Sequence, residues 1–252
     1  MLNLQPYQNP TYFGYLAVAL LPIMIGILYG RRFRWYETLV LTFGGDKWWQ
    51  GLMLICYIIY EMILTFGYFN YRKKKNSGVI FVLAVILSIL PLVIVKITPA
   101  IDAGKESIIG FLGISYLTFK TVGMIMEIRD GIIKELGLWE TLHFLLFFPT
   151  ISSGPIDRFR RFKKDYDAVP ERDKYLSLLE KGVHYIFLGF LYKFLLAYFW
   201  GSYLLPIVRI HALGHGGISW WLVAYTYVYS MDLFFDFAGY SLFAVGTSYI
   251  MG

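Results

Sequence analysis

The chain has 252 residues, of which 58% are hydrophobic and only 16% are charged, and its formal net charge is +6 at pH 7. Soluble globular domains carry about one quarter charged residues, so this composition excludes that class and indicates a polytopic membrane protein. The single cysteine, Cys56, excludes an intramolecular disulfide.

Apolar segments of spanning length recur along the chain, and a bilayer core needs about 20 helical residues. The last apolar run is too long for one span and is therefore divided into two helices. The segments around 40 and 140 are shorter, and Pro149 and Pro155 bracket the end of the second, which favours a broken or re-entrant helix there. The predicted helices are 12–29, 35–44, 48–71, 78–97, 107–127, 136–151, 182–208, 217–238 and 239–252 onward. The sequence thus predicts an all-α polytopic membrane protein with one integral-membrane domain over residues 1–252.

The 23 lysines and arginines are distributed unevenly between the predicted loops. Most of them follow the first and third helices or lie in the polar segment 157–181, whereas Lys47, Lys105 and Arg209 fall on the opposite side. This asymmetry is the positive-inside pattern. It predicts an N-terminus outside and a basic cytoplasmic segment at 157–181, and it explains the basic charge without nucleic acid.

Several charged residues lie within the apolar segments, where each costs roughly 2.5–3.5 kcal/mol at the centre of a membrane helix. They are Glu61, Lys120, Glu127, Lys193, Asp232 and Asp236. Asp232 and Asp236 share one helix face with Tyr225 and Tyr229, because residues three or four apart lie above one another. Two interpretations remain open, namely internal ion pairs that fix helix packing and a polar, water-accessible cavity.

Three segments occur in a characteristic order along the chain. They read GISYLTFKTVGMIMEIRD at 113–130, FFPTISSGPIDRFRRF at 147–162 and YTYVYSMDLFFDFAGYSLFAVGTSYIMG at 225–252. Together they resemble the membrane-bound O-acyltransferase family, with its G-I-S-(F/Y)-x-T-F segment, its F-P-x-x-x-x-G-P-I-x-R turn and its D-F-(S/A)-G-Y-S helix. The stretches LQPYQNPTYF, RRFRWY and MEIRDGIIKE are similar to the branch that acts in teichoic acid D-alanylation.

This resemblance implies a ring of transmembrane helices around a tunnel, in the cell membrane of a Gram-positive bacterium. The implied donor is a D-alanyl thioester on the phosphopantetheine arm of a small cytoplasmic acyl carrier protein, and the D-alanine passes towards lipoteichoic acid outside. Accessory membrane proteins of the same system are further expected partners, and we expect no bound cofactor or metal. The alternatives are a member similar to the alginate O-acetyltransferases, or a non-enzymatic subunit of the transporter or channel type.

The resemblance also implies which residues support the reaction. Asp236 and Tyr240 match the D-F-(S/A)-G-Y-S helix and are expected to orient other groups. Further tunnel or supporting residues are expected at Asp232, Ser115, Lys120, Ser153 and Arg158.

The catalytic residue of the family is a histidine in a Trp-His motif downstream of that helix. Trp-His occurs nowhere in this chain. The four histidines lie in other contexts, at His143, His184, His211 and His215. We therefore expect the catalytic histidine to lie beyond Gly252, and this chain, as the amino-terminal part of the enzyme, to be inactive alone.

Overall fold

The structure is a computed structural model that describes residues 10–34, 36, 48–101, 111, 113–151, 154–166, 168–214 and 219–252. These residues form helices and the turns between them, and no strand occurs among them. The helices are α1 (Pro10–Leu28), α2 (Trp48–Lys74), α3 (Gly78–Ile101), α4 (Ile114–Arg129), α5 (Leu138–Leu146), α6 (Phe159–Tyr166), α7 (Arg172–Phe190), α8 (Leu205–Gly214) and α9 (Trp220–Ile250). A short 3-10 turn, Phe148–Thr150, follows α5, and two π-helical segments, Leu191–Leu196 and Phe199–Leu204, join α7 to α8.

Within the described part of the chain, five helical stretches are long and apolar enough to cross a membrane. They are Thr11–Leu28, Gly51–Lys74, Gly78–Ile101, Arg172–Gly214 and Trp220–Ile250. Only 11% of the most apolar stretch, α3, is buried inside the protein. Its exposed residues are large and aliphatic, such as Val82 and Ile86. A soluble protein rarely exposes such a face, whereas lipid covers it without cost, and the prediction of an all-α polytopic membrane protein is confirmed.

The described residues divide into two compact units. The first comprises residues up to 152 together with 156–172, and the second comprises 153–155 together with 173–252. The predictions of a single domain and of a helical ring around a tunnel stay predictions.

Helix α4 forms the centre of the first unit. Nine of its 16 residues are buried, including Lys120 and Glu127 among aliphatic neighbours. It packs against α2, α3, α5 and α6. A helix surrounded in this way has fixed side-chain positions, so α4 can act as a rigid support for whatever its polar residues hold.

The second unit is built from the long stretch α7–α8 packed against α9, and small residues allow their close approach. A Cβ at Gly246 would lie 2.8 Å from the carbonyl oxygen of Gly182, and a Cβ at Gly239 would lie 2.7 Å from the Cβ of Lys193. Glycine at such positions lets membrane helices approach backbone to backbone. The Tyr175 hydroxyl donates to the Ile250 carbonyl oxygen at 2.8 Å, which satisfies an orphan acceptor at the end of α9.

The predicted division of the last apolar run at 238 is wrong, because α9 continues from Trp220 to Ile250 without a break. Ser219 caps its start, where the Ser219 Oγ accepts a hydrogen bond from Leu222 N at 3.4 Å. The division rested on length alone. The 31 residues of α9 rise about 46 Å at 1.5 Å per residue, and tilt accommodates a helix longer than the hydrocarbon layer.

The predicted helix 182–208 is too short at both ends. The observed stretch runs from Arg172 to Gly214, so it begins inside the predicted basic segment 157–181, which also contains α6. Charged residues in the first turns of α7 lie on exposed positions, and a helix can therefore extend beyond its apolar part.

Three other predicted elements differ in detail. The described part of 107–127 is α4, which starts after Gly113 because that residue has a positive φ of 96°. The 136–151 element is α5 followed by a 3-10 turn, which is a broken helix. The 35–44 element lies almost wholly outside the described residues.

Candidate functional site

Lys120 is a fully buried cation that binds the end of a neighbouring helix. Its side chain is 1% exposed. Its Nζ donates to the carbonyl oxygen of Phe144 at 3.0 Å and reaches those of Leu145 and Phe147 at 3.4 Å. Phe144 and Leu145 belong to the last turn of α5 and Phe147 follows it, so the lysine lies at the negative end of the helix dipole. The lysine charge is thus stabilised by backbone dipoles.

Glu127 lies two turns further along the same face of α4 and binds the beginning of α6. Its Oε2 accepts from the backbone N–H of Arg160 at 3.3 Å, and its Oε1 lies 3.5 Å from the Nε of the same residue. A carboxylate is favourable at a helix N-terminus, where the N–H groups lack partners. Lys120 and Glu127 therefore hold two opposite helix ends from one face of α4.

The connection between those helix ends is the segment 147–158, which belongs to the second motif. Its flanks are fixed by Lys120 on the α5 side and by Glu127 on the α6 side. The first motif also meets it directly, because a Cβ at Gly113 would lie 2.5 Å from the Ile151 carbonyl oxygen. Only glycine tolerates both that approach and the positive φ. The structure thus brings two of the three motifs together.

The other predicted residues of the first unit lie around this segment. Ser115 is half-buried in the first turn of α4, and Arg158 is exposed just before α6. The Arg158 backbone N–H donates to the Asp157 Oδ1 at 2.8 Å. Ser153 lies outside the described residues.

Lys193 and Asp236 form an ion pair inside the second unit. The Lys193 Nζ donates to the Asp236 Oδ1 and lies 3.8 Å from the centre of the Tyr240 ring. A cation over an aromatic face is attracted by the ring quadrupole. Asp236 and Tyr240, the two residues predicted from the third motif, therefore bind the same lysine. Of the two interpretations that the sequence left open, the structure shows an internal ion pair for Lys193 and Asp236.

Asp232 lies one turn before Asp236 and packs against a glycine of the opposing helix. A Cβ at Gly201 would lie 2.7 Å from the Asp232 Cγ. Lys193 and Gly201 each belong to one of the two π-helical segments, and such segments occur frequently at functional sites. Sequence reasoning missed Gly201, although a glycine within an apolar helix is a signal of close backbone approach.

The first unit also contains a cluster of buried polar side chains around Glu61. The sequence indicates Glu61 as a charge in an apolar segment but not the residues that surround it. Glu61 on α2 is 1% exposed, and its Oε2 accepts from the Ser88 Oγ of α3 at 3.0 Å. Nearby, the hydroxyls of Tyr57 and Thr118 lie 2.6 Å apart. Serine and threonine give weak sequence signals in apolar helices, because they also bond within their own helix, as Thr118 does to Ile114 O at 2.8 Å.

The described geometry positions groups and neutralises charge. Lys120 and Glu127 hold the ends of α5 and α6 through backbone groups. A backbone that is fixed in this way can present hydrogen-bond donors to a substrate. No three histidine, cysteine, aspartate or glutamate side chains converge as metal ligands within the described ranges.

Comparison with known proteins gives a consistent result. The chain is 54% identical to a teichoic acid D-alanyltransferase of Lacticaseibacillus rhamnosus, over 100% of this chain and 65% of that protein. It is 48% identical to one of Bacillus subtilis strain 168, over 98% of this chain and 65% of that protein. A probable alginate O-acetylase of Pseudomonas fluorescens is 26% identical, over 92% of this chain and 47% of its own length.

No protein-family model matches the chain. The chain spans less than two thirds of the length of these curated relatives. Similarity nevertheless extends over essentially the whole chain, and it includes the segments at 113–130, 147–162 and 225–252. The chain therefore belongs to the membrane-bound O-acyltransferase family, in the branch that contains the teichoic acid D-alanyltransferases.

Proposed function

We propose that this chain forms part of a membrane acyltransferase that transfers D-alanine during teichoic acid modification. The observation that carries the proposal is the whole-chain similarity to teichoic acid D-alanyltransferases. The similarity to alginate O-acetylases is about half as strong in identity, which favours D-alanine over acetate as the acyl group.

The donor in this proposal is a D-alanyl thioester on the phosphopantetheine arm of a small acyl carrier protein. Lipoteichoic acid outside the membrane is the final acceptor. The carbon–sulfur bond of the thioester breaks, a carbon–oxygen ester bond forms, and the hydroxyl proton passes to the sulfur. A base must take that proton, and histidine suits this role near neutral pH. The family resemblance assigns the role to a histidine downstream of the D-F-A-G-Y-S helix.

The described residues would act as supports for this chemistry. Lys120 and Glu127 hold the two flanks of 147–158, so that the described backbone groups at the end of α5 and the start of α6 keep fixed directions. In the second unit, Lys193 binds the Asp236 carboxylate, and the Tyr240 ring lies against the same lysine. Preorganised dipoles of this kind cost no rearrangement when charge develops in the transition state. Asp236 and Tyr240 are accordingly positioning residues.

The proposal includes a location and an orientation. The protein is a multi-pass protein of the cell membrane of a Gram-positive bacterium, with its N-terminus outside. The cation-rich segments then face the cytoplasm, where the carrier protein delivers the donor. Accessory membrane proteins of the same system complete the assembly.

Gene replacement tests the function. Deleting the gene that encodes this chain should remove D-alanine esters from teichoic acid, and restoring the gene should bring them back. Unchanged ester content after deletion would refute the proposed function, whatever the role of single residues.

A substitution tests the supporting role of Asp236. In the protein expressed from its own gene, Asp236→Asn should lower ester content about tenfold, which corresponds to about 1.4 kcal/mol of lost transition-state stabilisation. Protein level in the membrane is measured in parallel. Asp173→Asn is the matched control, because Asp173 is an exposed acid at the start of α7. Wild-type ester content in Asp236→Asn would remove Asp236 from the mechanism.

A further inference from the structure

Glu61 is a carboxyl group buried near the middle of the spanning stretch Gly51–Lys74. Its side chain is 1% exposed. The Oε2 accepts a hydrogen bond from the Ser88 Oγ of α3 at 3.0 Å, whereas the Oε1 is buried and has no hydrogen-bond partner among the described residues. A buried polar atom without a partner is costly and needs an explanation.

No described cation forms an ion pair with Glu61. Lys120, the buried cation of the neighbouring helix α4, donates to the carbonyl oxygens at the end of α5 instead. On α3 the only charged residue is Lys96, which is exposed and lies more than two turns beyond Ser88. The other titratable groups of α4 and α5 have partners outside these helices, namely Arg160 for Glu127, Lys163 for Glu140 and Tyr166 for His143. An ionised carboxylate without a counter-charge is expensive at this depth.

The space beside Glu61 cannot supply the missing partner. It is a narrow cavity without room for a water molecule, and its apolar wall includes Leu117 of α4 and Leu145 of α5. A bridging water needs that room and at least two polar partners, and a hydrated cation needs more. The partner of Oε1 must therefore come from the carboxyl group itself or from a side chain around it.

Tyr57 lies one turn before Glu61 on α2, and both side chains line this cavity. The Tyr57 hydroxyl has no proton left for Glu61. Thr118 donates its single proton to the Ile114 carbonyl oxygen at 2.8 Å, so the hydrogen bond of 2.6 Å between Tyr57 and Thr118 must use the Tyr57 proton. The Tyr57 oxygen nevertheless keeps lone pairs and can accept.

The neighbouring hydroxyls are also committed as donors. Thr121 lines the same cavity and donates to the Leu117 carbonyl oxygen at 3.0 Å. Tyr60, next to Glu61 in the chain, donates to the Leu87 carbonyl oxygen at 2.8 Å. The space between Glu61 and Tyr57 thus contains acceptors only, and one proton is missing.

We propose that Glu61 is a proton-binding site, in which the carboxyl group is a neutral acid with its proton on Oε1, directed towards the Tyr57 oxygen. Glu61 then accepts at Oε2 and donates from Oε1. The hydrogen bonds run in one direction, from Ser88 of α3 through Glu61 and Tyr57 of α2 to Thr118 of α4. The bound proton joins three helices without placing a charge in the membrane, and this proposal does not depend on the proposed enzymatic function.

Infrared spectroscopy of the unsubstituted protein tests the site. The protein, as expressed from its own gene, is purified in mixed micelles with and without ¹³C at the glutamate side-chain carboxyl. A protonated glutamate has a carbonyl stretch separate from the amide and carboxylate bands. This band should be present at neutral pH and should shift on labelling. A spectrum without such a band would overturn the proposal.

A substitution assigns the band to Glu61. Glu61→Gln should lower its intensity by the contribution of one residue, because glutamine has no carboxyl group. Glu135→Gln is the matched control, since Glu135 is exposed, and it should leave the band unchanged. An undiminished band in Glu61→Gln would place the proton on another glutamate and overturn the proposal.

A second variant keeps the acid and changes its surroundings. Ser88→Ala removes the donor to Oε2, so the band should move to higher frequency, because a carbonyl that accepts no hydrogen bond is stiffer. Ser230→Ala is the control, since the Ser230 Oγ donates to the Thr226 carbonyl oxygen of its own helix at 2.8 Å. An unmoved band in Ser88→Ala, or an equal shift in the control, would overturn the proposal even if Glu61→Gln fails to fold.

Discussion

The two units of the protein each place a lysine within an apolar segment, fully buried in the first unit and partly buried in the second, and they stabilise it in different ways. Lys120 is held by three backbone carbonyls at the end of α5. Lys193 is held by the Asp236 carboxylate and the Tyr240 ring. The first lysine binds backbone dipoles, whereas the second binds a carboxylate. The same residue type thus fixes a backbone turn in one unit and a side-chain cluster in the other.

This difference determines what a substitution leaves behind. Removing Lys120 removes the side-chain donor that three carbonyls share, and no second side-chain change can restore it. The Phe144 and Phe147 carbonyls keep backbone donors, whereas Leu145 loses its side-chain donor.

Removing Lys193 leaves the Asp236 carboxylate without its hydrogen-bonded partner, beside the neighbouring Asp232 carboxylate. A second substitution can also remove the Asp236 carboxylate. The lysine bound to the backbone should therefore be irreplaceable, and the lysine bound to a side chain should be replaceable as a pair.

The largest effect is expected for Lys120→Met. Hydrogen bonds to charged groups contribute about 1.5–3 kcal/mol each, and unsatisfied buried acceptors add a penalty. The side chain is 1% exposed, so water cannot replace it, and we expect a loss of at least about 3 kcal/mol in unfolding free energy. Reversible unfolding in mixed micelles measures it. Lys164→Met is the control, because Lys164 is exposed on α6. Similar stability for the two variants would mean that the carbonyl contacts do not hold α5.

The next effect is a double-mutant cycle at Lys193 and Asp236. Breaking a buried ion pair costs about 3–5 kcal/mol, but the Asp236 side chain is 40% exposed and the Lys193 side chain 11%, which reduces the cost to about 1–2 kcal/mol. Lys193→Met and Asp236→Leu should each lose this amount, while the double variant should lose less than their sum by about 1 kcal/mol. Strict additivity in the same unfolding assay would contradict the comparison with Lys120.

The sequence predicted the apolar helices well because their signal is local. Long uncharged runs identify spanning segments whatever they pack against. The end of α9 could not be predicted in the same way. The length of the run predicted a break, but length does not show whether a helix ends or tilts. Asp236 is explained only by its partner Lys193, which lies 43 residues away in the sequence.

The candidate site was predicted in its residues but not in its contacts. Lys120 and Asp236 were recognisable because charges in apolar segments require partners. The partners of Lys120 are backbone carbonyls, which every residue possesses, so no sequence pattern marks them. The α6 end bound by Arg32 and Arg34 is hidden for the same reason.

A smaller effect should come from the glycine next to Asp232. Gly201→Ala places a methyl group against the Asp232 carboxylate, and overpacking typically costs 1–3 kcal/mol. Because the carboxylate can shift, we expect a loss near the lower limit, about 1 kcal/mol. The matched control is Gly67→Ala in α2, where a Cβ meets nothing within 4 Å, and it should gain about 0.5–1 kcal/mol.

The two alanine variants should change the unfolding free energy in opposite directions, with a loss for Gly201→Ala and a gain for Gly67→Ala, and this difference is the test. If both stabilise the protein, the close approach of Asp232 to the π-helical segment is not a constraint. Combining Gly201→Ala with Asp232→Ala should recover most of the loss, since the methyl group then has room.

The smallest effect is expected for Glu127→Gln, at the other end of the segment that Lys120 supports. In the unsubstituted protein the Arg160 backbone N–H donates to the Glu127 Oε2 at 3.3 Å. Glutamine keeps a side-chain oxygen that can accept this hydrogen bond, but it removes the negative charge. The Arg160 side chain is 51% exposed, so solvent screens the ion pair, and we expect a loss of about 0.5 kcal/mol. The same unfolding assay measures it, with Glu135→Gln as the control because Glu135 is exposed.

Glu127→Ala, in contrast, removes the acceptor and should lose about 1 kcal/mol more than Glu127→Gln. If alanine and glutamine are equivalent, Glu127 acts through charge alone and does not cap α6. If glutamine is tolerated and alanine is not, α4 holds both flanks of 147–158 through backbone hydrogen bonds. The contrast between the two charged clusters then follows from the type of partner, because Lys120 and Glu127 of the first unit bind backbone groups, whereas Lys193 of the second unit binds a side chain.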